Sequence, residues 1–427
     1  MTAADLNRFS FVPGQVAGPL VVGGQGSYLF TADGRRILDA AGGAIVANVG
    51  HGRREVADRV HDAMATAGYV VPIWPTPHRL ALRDRLVERW LPPGFTQLFF
   101  TSGGSESTDS AVRLARAYQL SKGRPERWKI VGRHPSYHGM TLGTIAAASH
   151  SGRQAGFEPM LLDFPKVPWD DADAVVKVIE QEDPSTIAGF IAEPITGASG
   201  GCLVADDHYW STVTRVCKEH DILLIADEVM TGFGRTGRRF GHEHFPFQPD
   251  VVVGGKGLGG GYVPIGMVAT RADVVEPLQA MGGFMFFTYS GSDAACAGAE
   301  AVLDILEGEQ LVERSAAMGA LLQQRLREEL GDHRHVADIR GRGLFVGVQL
   351  ALDRDTGEQF PVTARLASQV VAAGLRRDVW YYPAGSGPVH DAVMFGCPFT
   401  VTESEIDTMA VVLRESIDEA VRSTGTV

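Results

Sequence analysis

Six lysines stand in this chain of 427 residues, with arginine filling most other basic positions, and one of them, Lys256, sits where a solubilising charge has little use. The run Val251-Val252-Val253-Gly254-Gly255-Lys256-Gly257-Leu258-Gly259-Gly260-Gly261 reads as a short buried strand followed by glycines that leave one cationic side chain with almost no steric cover. A lysine in such surroundings suggests a need for an amine that can lose its proton, which a guanidinium cannot do near neutral pH. Such an amine forms a Schiff base with an aldehyde or a carbonyl; a solvated loop lysine is the other reading of the same stretch. Asp227 is the second candidate. It follows the apolar run Ile222–Ala226, where a carboxylate is costly unless a positive or hydrogen-bonding group meets it, and nothing basic lies immediately beside it. Its partner is either the turn Thr231–Gly237, with its amides and Arg235, or a protonated heterocyclic nitrogen.

Other chemistry-bearing residues fall on turns. Ser102-Gly103-Gly104-Ser105-Glu106 separates a strand from a helix, and such a turn offers backbone N–H groups, the positive end of a helix dipole and the Ser105 hydroxyl. It suits a phosphate, although small residues also make bare turns, and it matches neither the dinucleotide fingerprint nor the P-loop. Tyr137 and His138 lie in Pro135–Gly139, where either could face a ligand, or Tyr137 could be a half-buried packing residue. Glu193 ends another apolar run. His51, in Asn48-Val49-Gly50-His51-Gly52, reads as a turn residue rather than a catalyst.

The elements that position these residues follow the grammar of a parallel sheet covered by helices. Strands are expected at 97–101, 129–133, 187–192, 222–226 and 251–253, with helices over 107–120 and 207–220. This order delivers Glu193 and Asp227 to the same sheet edge, where crevices in such folds hold ligands. Before it, residues to about Pro19 read as an arm and Val21–Asp39 as short strands with an Asp33-Gly34 hairpin turn. A helix over 54–67 follows, then a rigid loop, 71–77, that places Trp74 among prolines to line a pocket or plug a core.

Composition excludes several classes. With 44% hydrophobic and 21% charged residues the chain suits a globular protein large enough for two domains. It has no membrane-length apolar run and no signal-peptide pattern at Met1–Ser10, so a cytoplasmic location is the default expectation. Cys202, Cys217, Cys296 and Cys397 lack metal-like spacing, so neither a zinc site nor a disulfide framework is expected. A formal net charge of −12, with no basic stripe, argues against nucleic acid as a partner.

A phosphate turn, an aromatic on a turn, a strand-end carboxylate and a glycine-flanked lysine together meet the needs of a pyridoxal phosphate site. Asp227-Glu228-Val229, then Thr231-Gly232-Phe233-Gly234-Arg235-Thr236-Gly237, then Lys256-Gly257-Leu258-Gly259-Gly260-Gly261-Tyr262-Val263-Pro264-Ile265-Gly266, share order and separation with a known family. From about Gly34 to Pro398 the chain resembles the class III pyridoxal-phosphate-dependent aminotransferases. The resemblance implies an α/β fold of type I: a large domain over 56–330 with a mostly parallel sheet, and a smaller α+β domain built from 1–55 and 331–427. It implies Lys256 as internal aldimine and proton shuttle, Asp227 on the pyridine nitrogen, Val229 and Tyr137 on the two ring faces, and Gly104 and Ser105 on the phosphate. Thr288 would reach the phosphate of a neighbouring subunit, which implies a homodimer with shared active sites. The implied activity passes an amino group from an amine or ω-amino donor through pyridoxamine phosphate to a keto acid or aldehyde; related enzymes instead decarboxylate dialkylglycines or shift an amine within one substrate.

The departures concern the substrate. Members often carry arginine in the last strand region and glutamate five positions after the Glu-Pro pair, where this chain has Tyr382 and Ala198. Ile45 stands where amine–pyruvate members often have tryptophan; together with Trp74 and Tyr382 it marks the expected substrate pocket. Met230 and Phe286-Phe287 replace residues that are polar in several members.

Overall fold

A computed structural model describes residues 18–281, 285–387 and 389–425. The expected N-terminal arm lies almost entirely outside the described residues. Fifteen strands follow in order: β1 Val21–Gln25, β2 Tyr28–Thr31, β3 Arg36–Asp39, β4 Phe95–Thr101, β5 Lys129–His134, β6 Lys166–Pro168, β7 Ile187–Ala192, β8 Leu223–Asp227, β9 Val251–Gly254, β10 Gly266–Arg271, β11 Val336–Arg342, β12 Phe345–Leu350, β13 Val379–Trp380, β14 Tyr382–Ala384 and β15 Ala392–Phe395.

The central sheet runs β4-β10-β9-β8-β7-β5-β6. All of its strands are parallel except β10, which runs antiparallel to both neighbours, β4 and β9. Strands β7, β8 and β9 are buried along their whole length, which accounts for their continuous rather than alternating apolar runs. The helix after β4 packs on this sheet through small residues: a Cβ added at Gly189 in β7 would meet Ala115 Cβ at 3.2 Å. That helix spans Gly104–Ser121, beginning three residues before the expected Ser107, so Ser105 belongs to its first turn. Glycine and serine are weak interior helix formers but serve well in a first turn, where N–H groups are free in any case.

Two smaller four-stranded sheets complete the fold, ordered β1-β2-β3-β13 and β11-β12-β15-β14. The first joins the ends of the chain: β13 runs parallel to β3, pairing Val379 with Leu38 and Trp380 with Asp39. Arg35 fastens the join through an Nε bond of 2.6 Å to Asp378, 343 residues away. The last helix, Glu403–Thr424, starts with a capping box between Thr402 and Glu405. Among the described residues no helix is long and apolar enough to cross a membrane, no cluster of His, Cys, Asp or Glu could hold a metal ion, and all four cysteines are free and buried.

Arg235 ties these parts together. Its guanidinium is fully buried, donates to Cys397 O (2.7 Å) and Asn48 Oδ1 (2.6 Å), and lies 4.6 Å from the centre of the Phe399 ring. It makes no bond to Asp227, so that reading of the Thr231–Gly237 turn is set aside. Replacing it with methionine strands two buried acceptors drawn from opposite ends of the sequence. We expect Arg235→Met to cost about 2–4 kcal/mol, from stranded acceptors at about 1–3 kcal/mol each, read as a lower urea midpoint with an unchanged m-value. A midpoint equal to that of the unaltered protein would refute this role.

Candidate active site

Five strands point their C-terminal ends at one edge of the central sheet, and each delivers part of a cavity. Gly104 and Ser105 follow β4; Tyr137, His138 and Gly139 follow β5; Glu193 follows β7; Asp227, Val229 and Met230 end or follow β8; Lys256 follows β9. These ten residues line a cavity of about 160 Å³. Asp227 and Lys256 come together because β8 and β9 are neighbours in register, with Asp227 opposite Val253.

Lys256 is half-buried in the left-handed region, at φ 40°. A side chain there costs about 1–2 kcal/mol, and the flanking glycines are needed for close approach: a Cβ on Gly257 would lie 2.4 Å from Asn48 Nδ2. Its ammonium makes no hydrogen bond or ion pair among the described residues. Burial lowers its pKa to about 8, against partial support for the charged form from Asp227 and Glu193. Lys166 is also lowered to about 8 by burial, yet its ammonium is spent on the carbonyls of Ala146 (2.8 Å) and Phe164 (2.6 Å), away from the cavity. Lys122 and Lys129 are ion-paired, and Lys177 and Lys218 are exposed. Only Lys256 among the six combines a cavity with an uncommitted, readily deprotonated amine.

Asp227 finds a partner that sequence reasoning did not assign. His138 Nδ1 lies 2.7 Å from Asp227 Oδ2, and Val229 N donates to Oδ1 at 3.1 Å. Because a carboxylate only accepts, the proton of this imidazole sits on Nδ1; its Nε2 is buried and has no partner among the described residues. Glu193 is buried beside them, held by the amides of Gly197 (3.0 Å) and Tyr137 (3.2 Å). Burial raises its carboxyl pKa, and the nearby Asp227 charge adds to the shift. Glu228, the next residue, turns away and accepts from Gly241 N and His242 N at 2.7 Å each, holding the following loop.

The glycine turn forms a cradle. Gly103 provides no side-chain cap, so the first amides of an 18-residue helix face the cavity uncovered. Gly139 closes the opposite wall at φ 133°, and a Cβ there would lie 2.7 Å from Ser105 Oγ. A Cβ at Gly104 would meet Val229 Cγ1 at 2.7 Å, so the bare helix end also admits the Val229 side chain.

The other expected site residues do not line this cavity themselves. Ile45 is buried in an apolar cluster that borders the cavity through Met230 and also includes Tyr382, in a left-handed conformation (φ 60°) uncommon for a β-branched residue. Tyr382 is half-buried on β14. Thr288 is exposed and does not line the cavity. Trp74 neither plugs a core nor lines this cavity: it is 64% exposed. The backbone of its loop is held by Arg79, whose buried guanidinium donates to the carbonyls of Val70, Val71 and Trp74. Its Nε donates to Gly291 O at 2.5 Å, tying that loop to the one that carries Thr288. His51 pairs with the buried Asp39 at 2.8 Å, away from the cavity.

A parallel sheet whose strand ends gather an uncommitted lysine, a paired carboxylate and a bare helix N-terminus defines an enzyme that works on carbonyl and amine groups. The sequence matches the family described as aminotransferase class-III over residues 14–417, and the chain belongs to that family: it is a transaminase. It is 34% identical over 411 residues to the uncharacterized aminotransferase YhxA of Bacillus subtilis, covering 92% of this chain and 90% of that one. It is 32% identical over 422 residues to the putrescine–pyruvate aminotransferase of Pseudomonas aeruginosa, covering 94% and 90%. The fold matches that of the omega transaminase from Pseudomonas jessenii in complex with PMP, with a TM-score of 0.92 at 29% identity over 100% of this chain and 99% of that one.

Proposed function

We propose that the chain holds pyridoxal phosphate in the Lys256 cavity and moves an amino group from an amine donor to a keto acid or aldehyde. The uncommitted Lys256 amine, poised near pKa 8 beside Asp227, carries this reading. The residues present fit the cofactor. The uncovered amides of Gly104 and Ser105 suit its phosphate, Asp227 suits its ring nitrogen, and Tyr137 and Val229 stand where they can flank the ring. When bound, the cofactor supplies an electron sink that acidifies the donor's α-carbon. Lys256 Nζ would take the proton from that carbon and deliver it to the former aldehyde carbon of the cofactor, so that the amino group stays behind when the donor leaves as a carbonyl, work worth about 10²–10⁴-fold in rate. His138 is a positioning residue: its Nδ1 proton holds the Asp227 carboxylate in place. The pairing in the Pseudomonas aeruginosa relative supports an amine donor with a keto-acid acceptor.

In the same proposal two copies of the chain share their sites. Tyr69, Ile73, Trp74, Phe286 and Tyr289 are all more than half exposed, and Arg79 connects the loops that carry them. Apolar side chains gathered this way mark an interface. Thr288 would reach the phosphate held by the second copy, and Trp74 would face that copy's substrate.

The test is capture of pyridoxal phosphate by apoprotein, followed by visible absorbance against pH. Since the neutral amine is the nucleophile, and it forms as pH rises through about 8, the rate should climb about tenfold per pH unit below 8 and level off above it. Sedimentation of the same sample should give twice the chain mass. No capture, or a rate still climbing at pH 10 as for an ordinary lysine, would overturn the assignment of Lys256.

A further inference from the structure

Glu193 lines the Lys256 cavity and is buried, yet it forms no ion pair among the described residues. Its two oxygens are divided between two segments of the chain. Oε2 accepts from Tyr137 N at 3.2 Å and Oε1 from Gly197 N at 3.0 Å, and neither amide has another acceptor among the described residues. Tyr137 follows β5 and forms a wall of the cavity. Gly197 opens the loop after β7, and that loop meets the β11-β12-β15-β14 sheet. Ala198 O and Ser199 O accept from Gly385 N and Ser386 N, just after β14, at 2.8 Å each, while Arg340 of β11 donates to Gly200 O (2.9 Å) and Gly201 O (3.1 Å). One carboxylate therefore joins the aromatic wall to the loop on which a second sheet rests. That loop has little room to relax, since a Cβ at Gly197 would lie 2.4 Å from the Met230 sulfur.

The charged and titratable groups around Glu193 are His138, Asp227, Arg133 and Lys256. Arg133 is wholly buried; it donates to the Glu193 carbonyl and to Thr196 Oγ1 (2.8 Å) and keeps Nε and Nη1 unpartnered, a fixed positive charge behind the loop. Burial, and then the Asp227 charge, push Glu193 toward its neutral form; Arg133 and the N–H on each of its oxygens push it toward the ionised form.

We propose that Glu193 is an ionised positioning residue: its carboxylate clamps the Tyr137 wall to the 197–201 loop, and its charge adds to the field of Asp227 at Lys256. The purpose of the clamp rests on the proposed function, in which a flat ring fits between Tyr137 and Val229; the clamp itself is already closed in the apoprotein. Hydrogen bonds to an ionised acceptor are the stronger kind, so both segments are held firmly by one side chain. At Lys256 the carboxylates of Asp227 and Glu193 favour the ammonium, and Arg235 acts in the opposite sense.

The experiment uses full-length apoprotein with Glu193→Gln, which keeps the shape without the charge, and Glu193→Asp, which keeps the charge on a stem too short to span both amides. Hydrogen exchange read by mass spectrometry should speed up about 10–100-fold at Tyr137, Gly197 or both in either variant, with the Gly104–Ser121 helix unchanged. Pyridoxal phosphate capture followed against pH should level off about one pH unit lower in Glu193→Gln, because losing a negative charge weakens the hold of Lys256 on its proton. In Glu193→Asp the plateau should stay near pH 8. Unchanged exchange at both amides, or a rise spread evenly over the chain, overturns the clamp. A plateau at the same pH in Glu193→Gln and unaltered protein, or one displaced equally in both variants, overturns the assigned charge. Unaltered protein that captures no pyridoxal phosphate would instead sink the cofactor reading, with the exchange result still deciding the clamp.

Discussion

Lys256→Met abolishes turnover while making the apoprotein more stable at neutral pH. The activity loss is at least about 10⁴-fold, the upper end of what a positioned acid–base group contributes, because the same substitution removes the nucleophile and the proton carrier. The stability gain follows from burial. A folded-state pKa of about 8 against 10.5 means that the native protein holds this proton less tightly than the unfolded chain. The penalty is therefore full below pH 8 and fades as pH rises toward 10.5. The shift corresponds to about 3 kcal/mol, and solvent at the half-buried side chain reduces this to about 1–2 kcal/mol. Methionine keeps the length of the stem without the charge. Thermal melts of the two apoproteins at pH 7 and pH 10 test this: the melting-temperature advantage of Lys256→Met should be largest at pH 7 and shrink at pH 10. A variant less stable at both pH values would show that the lysine is not strained.

Asp227→Asn is the second large effect. It preserves the shape of the side chain and an acceptor for Val229 N, but removes the charge that faces the cavity. A buried carboxylate stabilises a proton on a neighbouring nitrogen far more than a solvated one does, and losing an electrostatic group of this kind costs about 10²–10³-fold in kcat. Stopped-flow measurement of the donor half-reaction at saturating pyridoxal phosphate separates this from weaker cofactor binding. Full recovery at saturation would mean that Asp227 merely anchors the cofactor.

Much of this site could be read from the chain because its parts sit at strand ends, and strand ends are marked by the switch from continuous apolar runs to glycine and charge. That switch marks Asp227, Glu193, Lys256 and the 102–106 turn in the sequence itself, and all lie along one edge. Gly266–Arg271 falls outside the strands expected from the sequence, because it follows directly on a glycine-rich turn, and it runs against both neighbours, a direction that a buried apolar run does not encode. The His138–Asp227 pair was also hidden, since a contact across 89 residues depends on which strands become neighbours. Trp74 illustrates a different limit: prolines make its loop rigid in the sequence, but neither the 64% exposure of its ring nor the hold of Arg79 on its carbonyl is marked by any residue pattern.

The pairing of β3 with β13 also sets the order in which the chain can mature. Arg35 and Asp378 lie 343 residues apart, which at about 5–20 residues per second is roughly 20–70 s of synthesis. Through that interval the edge of β3 waits on the ribosome without its partner, and an unpaired strand edge invites other chains. Slow elongation between these two segments should therefore lower soluble yield more than it lowers the activity of the molecules that finish.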